Sequence, residues 1–302
     1  MKSRISRWRR VTGMLAPEDL PNRNLPEYRP NARMPDNPHR FSLDAILAVT
    51  RDRVAALQVR AGELERTARN AAAVRPFPTG TQGTVGVIAE VKRRSPSQGT
   101  IRRDLDPVRH AQAYARGGAV AVSVLTDGPH FGGSIEDLRR VAAAVPLPAL
   151  RKDFVIHEAQ IHEARAAGAS AVLMIVRVLE TGRLRALANA VRAWGMVPLI
   201  EVHAARELDD ALAAGPGILG VNARDLDTFT VDLRGAEQLM ARIPDGVPVV
   251  AESGIAMRAD VERFAAAGAD FVLVGTSVAR QQDPEQAVRD LVGVKRHAGV
   301  RT

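Results

Sequence analysis

The stretch Glu163–Val176, "EARAAGASAVLMIV", ends one helix and begins one strand. Its Ala- and Arg-rich first half stops at Gly168, and an unbroken apolar run, Ala171 to Val176, follows at once. Glycine just past a helix reaches the left-handed backbone that terminates it, and a continuous apolar, β-branched run is what a strand covered on both faces requires. The same joint recurs as "ARGGA", "LAAGP" and "AAAGA". Working outward, short apolar runs stand at 86–92, 119–126, 148–153, 171–176, 197–202, 218–224, 248–254 and 271–277, with starts 21 to 33 residues apart. Amphipathic segments such as "HEAQIHEARAAG" and "RADVERFAAAG" fill the intervals. Eight β/α units of this length predict an α/β fold, a single (β/α)8 TIM barrel. An open doubly wound sheet has fewer strands and a Gly-rich turn after the first one, and "GVIAEVKRRS" contains none.

Three segments are expected: a basic, Pro-rich arm over 1–40, a helical extension over 41–84, and the catalytic barrel over 85–302. Of the net charge of +8, residues 1–40 hold +5, together with six of the eighteen prolines. That composition predicts a poorly ordered arm rather than core. No apolar stretch follows "RWRR", so an export signal is not expected. Nucleic acid is not expected as a partner. From Phe41 to Ala73 the spacing predicts one helix, capped at Ser42, and "RPFPTGTQGT" (75–84) ends it. The absence of cysteine excludes disulfides and thiolate chemistry, and no run reaches the ~18 apolar residues of a membrane span. A cytoplasmic protein is expected. Its oligomeric state is left open, with a monomer favoured.

Charges inside the first strand point to the function. In "VIAEVKRRSPS" (87–97), Glu90 and Lys92 share a face with Ile88, at the strand's C-terminal end. Active sites of such barrels lie at that end. Lys152, Glu201, Asn222 and Ser253 end four further strands, so several elements deliver polar groups to one rim. Two lysines and two glutamates there form an acid–base set. Burial and neighbouring cations are expected to lower a lysine pKa, and apolar walls to raise a glutamate pKa. The seven histidines are scattered, with no metal-ligand cluster; His203, just past Glu201, reads as a loop or helix-start residue. "ESGI" and "VGTSV" place small residues after the last two strands, where backbone N–H groups can approach an anion, with Ser95 and Ser97 closing from the first loop.

These strings, in order, resemble the indole-3-glycerol phosphate synthase family: "IAEVKRRSPSQG", "SVLTDGPHFGGS", "LRKDF", "EARAAGASAVLMIV", "PLIEVH", "GVNARDLDTFTVD", "VAESGI" and "VLVGTSVAR", over residues 85–285. The resemblance implies ring closure, decarboxylation and dehydration of 1-(2-carboxyphenylamino)-1-deoxyribulose 5-phosphate, a small phosphorylated substrate, with no cofactor and no metal. It implies Lys152 as the general acid of closure and Lys92 as the partner of the anthranilate carboxylate. It further implies Glu201 as acid or base with Glu90 beside it, Asn222 on substrate hydroxyls and Ser253 on the ribulosyl chain. The phosphate would rest on Ser95, Gly254, Gly275, Thr276 and Ser277, and Phe131 and Phe154 would border the aromatic ring. The basic first forty residues have no counterpart in a typical member. Family members often have Gly-Glu-Ser or Gly-Ser-Ser where this chain has "VGTS". Two readings compete. A phosphoribosylanthranilate isomerase-like barrel would use a different acid–base pair, and a non-catalytic binding barrel would have no reason to keep four ionisable rim groups.

Overall fold

The computed structural model describes residues 42–81, 83–297 and 299–301; the expected arm over 1–40 lies outside them. Eight parallel strands close into one barrel: β1 (Gly86–Val91), β2 (Ala121–Leu125), β3 (Ala149–Lys152), β4 (Ala171–Ile175), β5 (Val197–Val202), β6 (Ile218–Asn222), β7 (Val249–Glu252) and β8 (Phe271–Val274). β1 pairs with β2 through Ile88↔Ala121 and with β8 through Gly86↔Phe271, so no edge is left open. All eight expected strands are present. The helix-ending joints also behave as expected: Gly118, Gly168, Gly215 and Gly268 each adopt a positive φ that a side chain would strain.

The strands are apolar on both faces because both faces are covered. Ile88, Leu150, Leu199, Ile218, Val250 and Phe271 fill the interior. Their neighbours along the chain, such as Val87, Val122, Val172, Val249 and Val272, pack against the surrounding helices. The interior is therefore a plugged core, and only its C-terminal end is free to hold polar groups.

The predicted single helix over 41–73 is two helices, α1 (Leu43–Val59) and α2 (Ala61–Asn70), hinged at Arg60, whose φ of −106° and ψ of 12° leave the helical basin. The Ser42 hydroxyl caps α1 by accepting from the Ala45 N–H at 3.2 Å, as expected. Ile46 and Leu47 of α1 join the interior cluster together with Phe154. The chain after α2 then crosses the opposite, N-terminal end: Arg165 donates to the Ala71 carbonyl, Arg75 to the Ala142 carbonyl, and Phe77 joins the same interior cluster. The segment around Arg75 and Phe77 thus passes under the barrel.

Candidate active site

All six residues expected to be catalytic, Glu90, Lys92, Lys152, Glu201, Asn222 and Ser253, line one cavity of about 520 Å³. Ser95, Phe131, Phe154, Gly254, Gly275, Thr276 and Ser277 line it too. The barrel brings them together in a simple way. On each strand the inward alternation that places apolar side chains below ends in a polar side chain at the top. Lys152 follows Leu150, Glu201 follows Leu199, and Asn222 follows Gly220 and Ile218. Two charged groups result. In one, the Lys92 ammonium lies 2.7 Å from Glu90 Oε1. In the other, Lys152 Nζ donates to Glu201 Oε2 at 3.1 Å and lies 3.0 Å from Glu252 Oε2.

Glu252 escaped the sequence reading, which took Ser253 as the polar end of its strand. The alternation itself held the signal: Val250 faces inward, so residue 252 does, and 253 does not. Ser253 instead sits in the loop with a φ of +70°, followed by Gly254 at +76°. A non-glycine residue in that region is strained, and such strain gathers where a loop must present its backbone to a ligand. A second signal lay in Gly220, which the register places beside β7. A methyl group there would come within 2.3 Å of Glu252 Oε1 and 2.8 Å of the buried Leu199. Gly220→Ala is expected to lower stability by ~1–3 kcal/mol through this overpacking. Thermal unfolding checks that loss, and turnover should fall with it because the Glu252 carboxylate has to move.

Protonation in this group follows from burial and proximity. Burial works against the Lys152 ammonium, but Glu201, Glu252 and Glu90 outweigh it and hold its pKa above the ordinary lysine range. The expectation of a lowered lysine is overturned: the neighbours that barrel closure supplies are carboxylates, not cations. Burial would also raise Glu201, yet Lys152, His203 and Asn222 hold it down. Glu252 goes the other way. Burial and the Glu201 charge push its carboxyl up to about 8 despite Lys152. At neutral pH the trio is an ammonium, a carboxylate and a neutral carboxyl.

The cavity has two chemically different ends. Phe131 and Phe154, with ring centroids 6.3 Å apart, stand after β2 and β3. Leu173, Ile175 and Leu226 extend that apolar wall. Across the barrel, the loops after β7 and β8 present Gly254, Gly275, Thr276 and Ser277. The Ser277 hydroxyl donates to the Ile255 carbonyl at 2.9 Å and ties these two loops together. Ser95 closes that end from the hairpin Arg94–Ser95 with Gly99–Thr100, its hydroxyl accepting from the Gln98 N–H. Arg224, also missed, lines the cavity with its guanidinium donating to the Phe229 carbonyl at 2.8 Å.

Behind Lys152 lies a supporting layer. Its neighbour Arg151 is wholly buried outside the cavity, and its other neighbour Asp153 is buried at the cavity wall. Arg151 lies 3.0 Å from Asp153 and 2.7 Å from Glu163. Arg53 of α1 reaches Asp153 at 2.8 Å and Asp127 at 3.4 Å. The N-terminal extension is thereby clamped to the strand end that carries Lys152.

Acid–base groups delivered from several strand ends to one mouth, between an aromatic wall and anion-accessible loops, define a (β/α)8-barrel enzyme that acts on a small anionic substrate. The family model described as "Indole-3-glycerol phosphate synthase" matches residues 43–291. The "Indole-3-glycerol phosphate synthase" of Mycobacterium ulcerans is 45% identical over 258 residues, covering 84% of this chain and 95% of the relative. That of Kineococcus radiotolerans is 50% identical over 219 residues, covering 72% and 80%. Among solved structures, the fold alone is shared with 3-hexulose-6-phosphate synthase from Salmonella typhimurium (TM-score 0.54, 13% identity, 68% of this chain and 96% of that one). The chain belongs to the indole-3-glycerol phosphate synthase family, carboxy-lyases of tryptophan biosynthesis. No helix among the described residues is long and apolar enough to cross a membrane.

Proposed function

We propose that this protein converts 1-(2-carboxyphenylamino)-1-deoxyribulose 5-phosphate to indole-3-glycerol phosphate, releasing carbon dioxide and water. The observation that carries the assignment of roles is the Lys152 ammonium held between Glu201 and Glu252, in the cavity that an aromatic wall and the small-residue loops also line. The phosphate rests on the backbone of Gly254, Gly275 and Thr276, with Ser95 and Ser277 completing the cradle. The carboxyphenyl ring lies against Phe131 and Phe154. Anchoring both ends of a flexible chain makes its aromatic carbon and its carbonyl neighbours, a proximity effect.

Closure begins as the ring carbon bearing the carboxylate attacks the ribulosyl carbonyl. Lys152 protonates the developing alkoxide, the step for which a charged donor in a dry site is suited. Lys92 holds the substrate carboxylate until carbon dioxide leaves and aromaticity returns. Dehydration then requires a proton at the departing hydroxyl and a base for the ring-side proton. The Lys92–Glu90 pair and Glu201 supply them, while Asn222 and Ser253 hold substrate hydroxyls. Neutral Glu252 keeps Lys152 a usable acid, because a second full carboxylate beside the ammonium would grip its proton more tightly. The enzyme works in the cytoplasm on this reading.

Indole fluorescence rising when purified protein meets the substrate tests the assignment; silence from folded protein that binds the substrate refutes it. The pH profile tests the role of Glu252. Its pKa of about 8 means the active, protonated form is lost as pH rises through that value. Turnover should therefore decline roughly tenfold per pH unit above it, and Glu252→Gln, which cannot ionise, should lose that limb. An unchanged alkaline limb in Glu252→Gln would remove Glu252 from the mechanism.

A further inference from the structure

His203 stands two residues beyond Glu201 and shares its side of the chain. Its ring is almost entirely buried, with side-chain exposure of 4%, and it does not line the cavity that holds Lys152. It lies behind Glu201 instead. His203 Nε2 is 3.3 Å from Glu201 Oε1, the oxygen opposite the one that Lys152 binds. On its far side, Nδ1 is 3.8 Å from Glu207 Oε2. Glu207 is itself locked, because that same oxygen accepts from the backbone N–H of His203 at 2.6 Å. The groups therefore alternate along one line: Lys152, Glu201, His203, Glu207.

We propose that His203, held by Glu207, is a positioning residue that grips the rear oxygen of Glu201 as a cation, so that the carboxylate stays charged and aimed at Lys152. This rests on the reading of Glu201 as a catalytic carboxylate. The charged groups nearest the ring are carboxylates. Glu201 stands before it on the chain, Glu207 on the turn after β5, and Glu252 on β7. Asp225, Asp227 and Asp232, from the loop after β6, line the hollow on which the ring borders, the first two paired with the Arg177 guanidinium. Besides His203, Glu207 has Arg206 3.9 Å from its other oxygen, and that arginine is largely exposed. Burial alone would discharge the imidazole, but Glu207, Glu201 and Glu252 outweigh it and raise its pKa. A histidine that merely filled space would need neither carboxylate.

Two measurements decide the matter, and the first needs no substrate. A histidine-selective NMR titration of the whole protein should place the His203 midpoint above the ordinary 6.5, and Glu207→Gln, which removes a neighbouring carboxylate, should bring it down. A midpoint at or below 6.5, or one that Glu207→Gln leaves in place, overturns the proposal. The second is a double-mutant cycle. His203→Gln keeps an uncharged donor and should lower kcat about tenfold with KM within a factor of two. In a Glu201→Gln background the same change should cost nothing further, because the group through which it acts is gone. An undiminished kcat in His203→Gln, or an equal loss in both backgrounds, overturns the proposal. If His203→Gln fails to fold, Glu207→Gln takes its place in the cycle, with a smaller loss expected in the wild-type background and none in the other. Wild-type silence would condemn the functional reading, while the titration would still judge the histidine.

Discussion

Lys152→Ala is expected to reduce turnover about a thousandfold while leaving substrate binding within a few-fold of wild type. Loss of a positioned general acid typically removes ~10²–10⁴ in rate, and among the described residues the same group is the only ammonium paired with Glu201 and Glu252. Binding survives on the proposed roles because the loops after β7 and β8, proposed to hold the phosphate, make no use of Lys152, and neither does the aromatic wall. The deletion leaves the Glu201 carboxylate without its cation beside an already neutral Glu252, and uptake of a proton by Glu201 limits the loss of stability. Turnover by indole fluorescence, with substrate affinity by calorimetry on the inactive variant, separates the two effects. A variant that still turns over within a few-fold of wild type would remove Lys152 from the chemistry.

The largest effect on stability is expected at the residue next door. Asp153 is buried and serves four donors: Arg53, Arg151, the Thr126 hydroxyl at 2.6 Å, and the Phe154 N–H at 2.9 Å. Burial opposes its charge, but the two guanidinium groups hold its pKa at about 2, below the ordinary 3.8. Asp153→Ala leaves Arg151 buried with Glu163 and the Gln160 carbonyl as its strong partners, and it leaves Arg53 of α1 with only its longer contact to Asp127. Breaking a buried pair in this way costs ~3–5 kcal/mol. At ~2–4 °C per kcal/mol for a domain of this size, Tm should fall by roughly 10 °C. The sign with pH follows from the depressed pKa. The stabilisation is complete above 3.8 and lost as pH falls through about 2, so wild type and Asp153→Asn should converge in acid. Unfolding curves at neutral and acid pH test both claims, and a neutral-pH difference below 1 kcal/mol would show that the layer does not secure the barrel.

Much of this was legible in the chain because it depends on local periodicity. Helix, Gly168, strand is a local statement, and its repetition implied a closed barrel. The shared face of Glu90 and Lys92 follows from a spacing of two, and the 2.7 Å pair is its consequence. The break at Arg60 was not legible, since neither glycine nor proline marks it and the apolar spacing runs through it. Glu252 was legible in principle, by extending the alternation from Val250, but the loop signal of "SG" drew attention one residue too far. Arg151 shows the limit of reading burial from composition: an arginine in "LRKDF" is fully buried because Asp153, Glu163 and the Gln160 carbonyl surround it.

The amino-acid sequence by itself determined the eight β/α units, the rim on which the ionisable groups gather, and the face on which each charged side chain stands. Only the tertiary structure decided which charges meet. Lys152 gains its carboxylates from β5 and β7, far along the chain, and they raise its pKa where local reading lowered it. His203 and Glu207 come to lie behind Glu201, and Arg53 comes to clamp Asp153. Periodicity along a strand sets orientation within a few residues, whereas Coulomb energy depends on distance through space, and that distance exists only once the sheet has closed on itself.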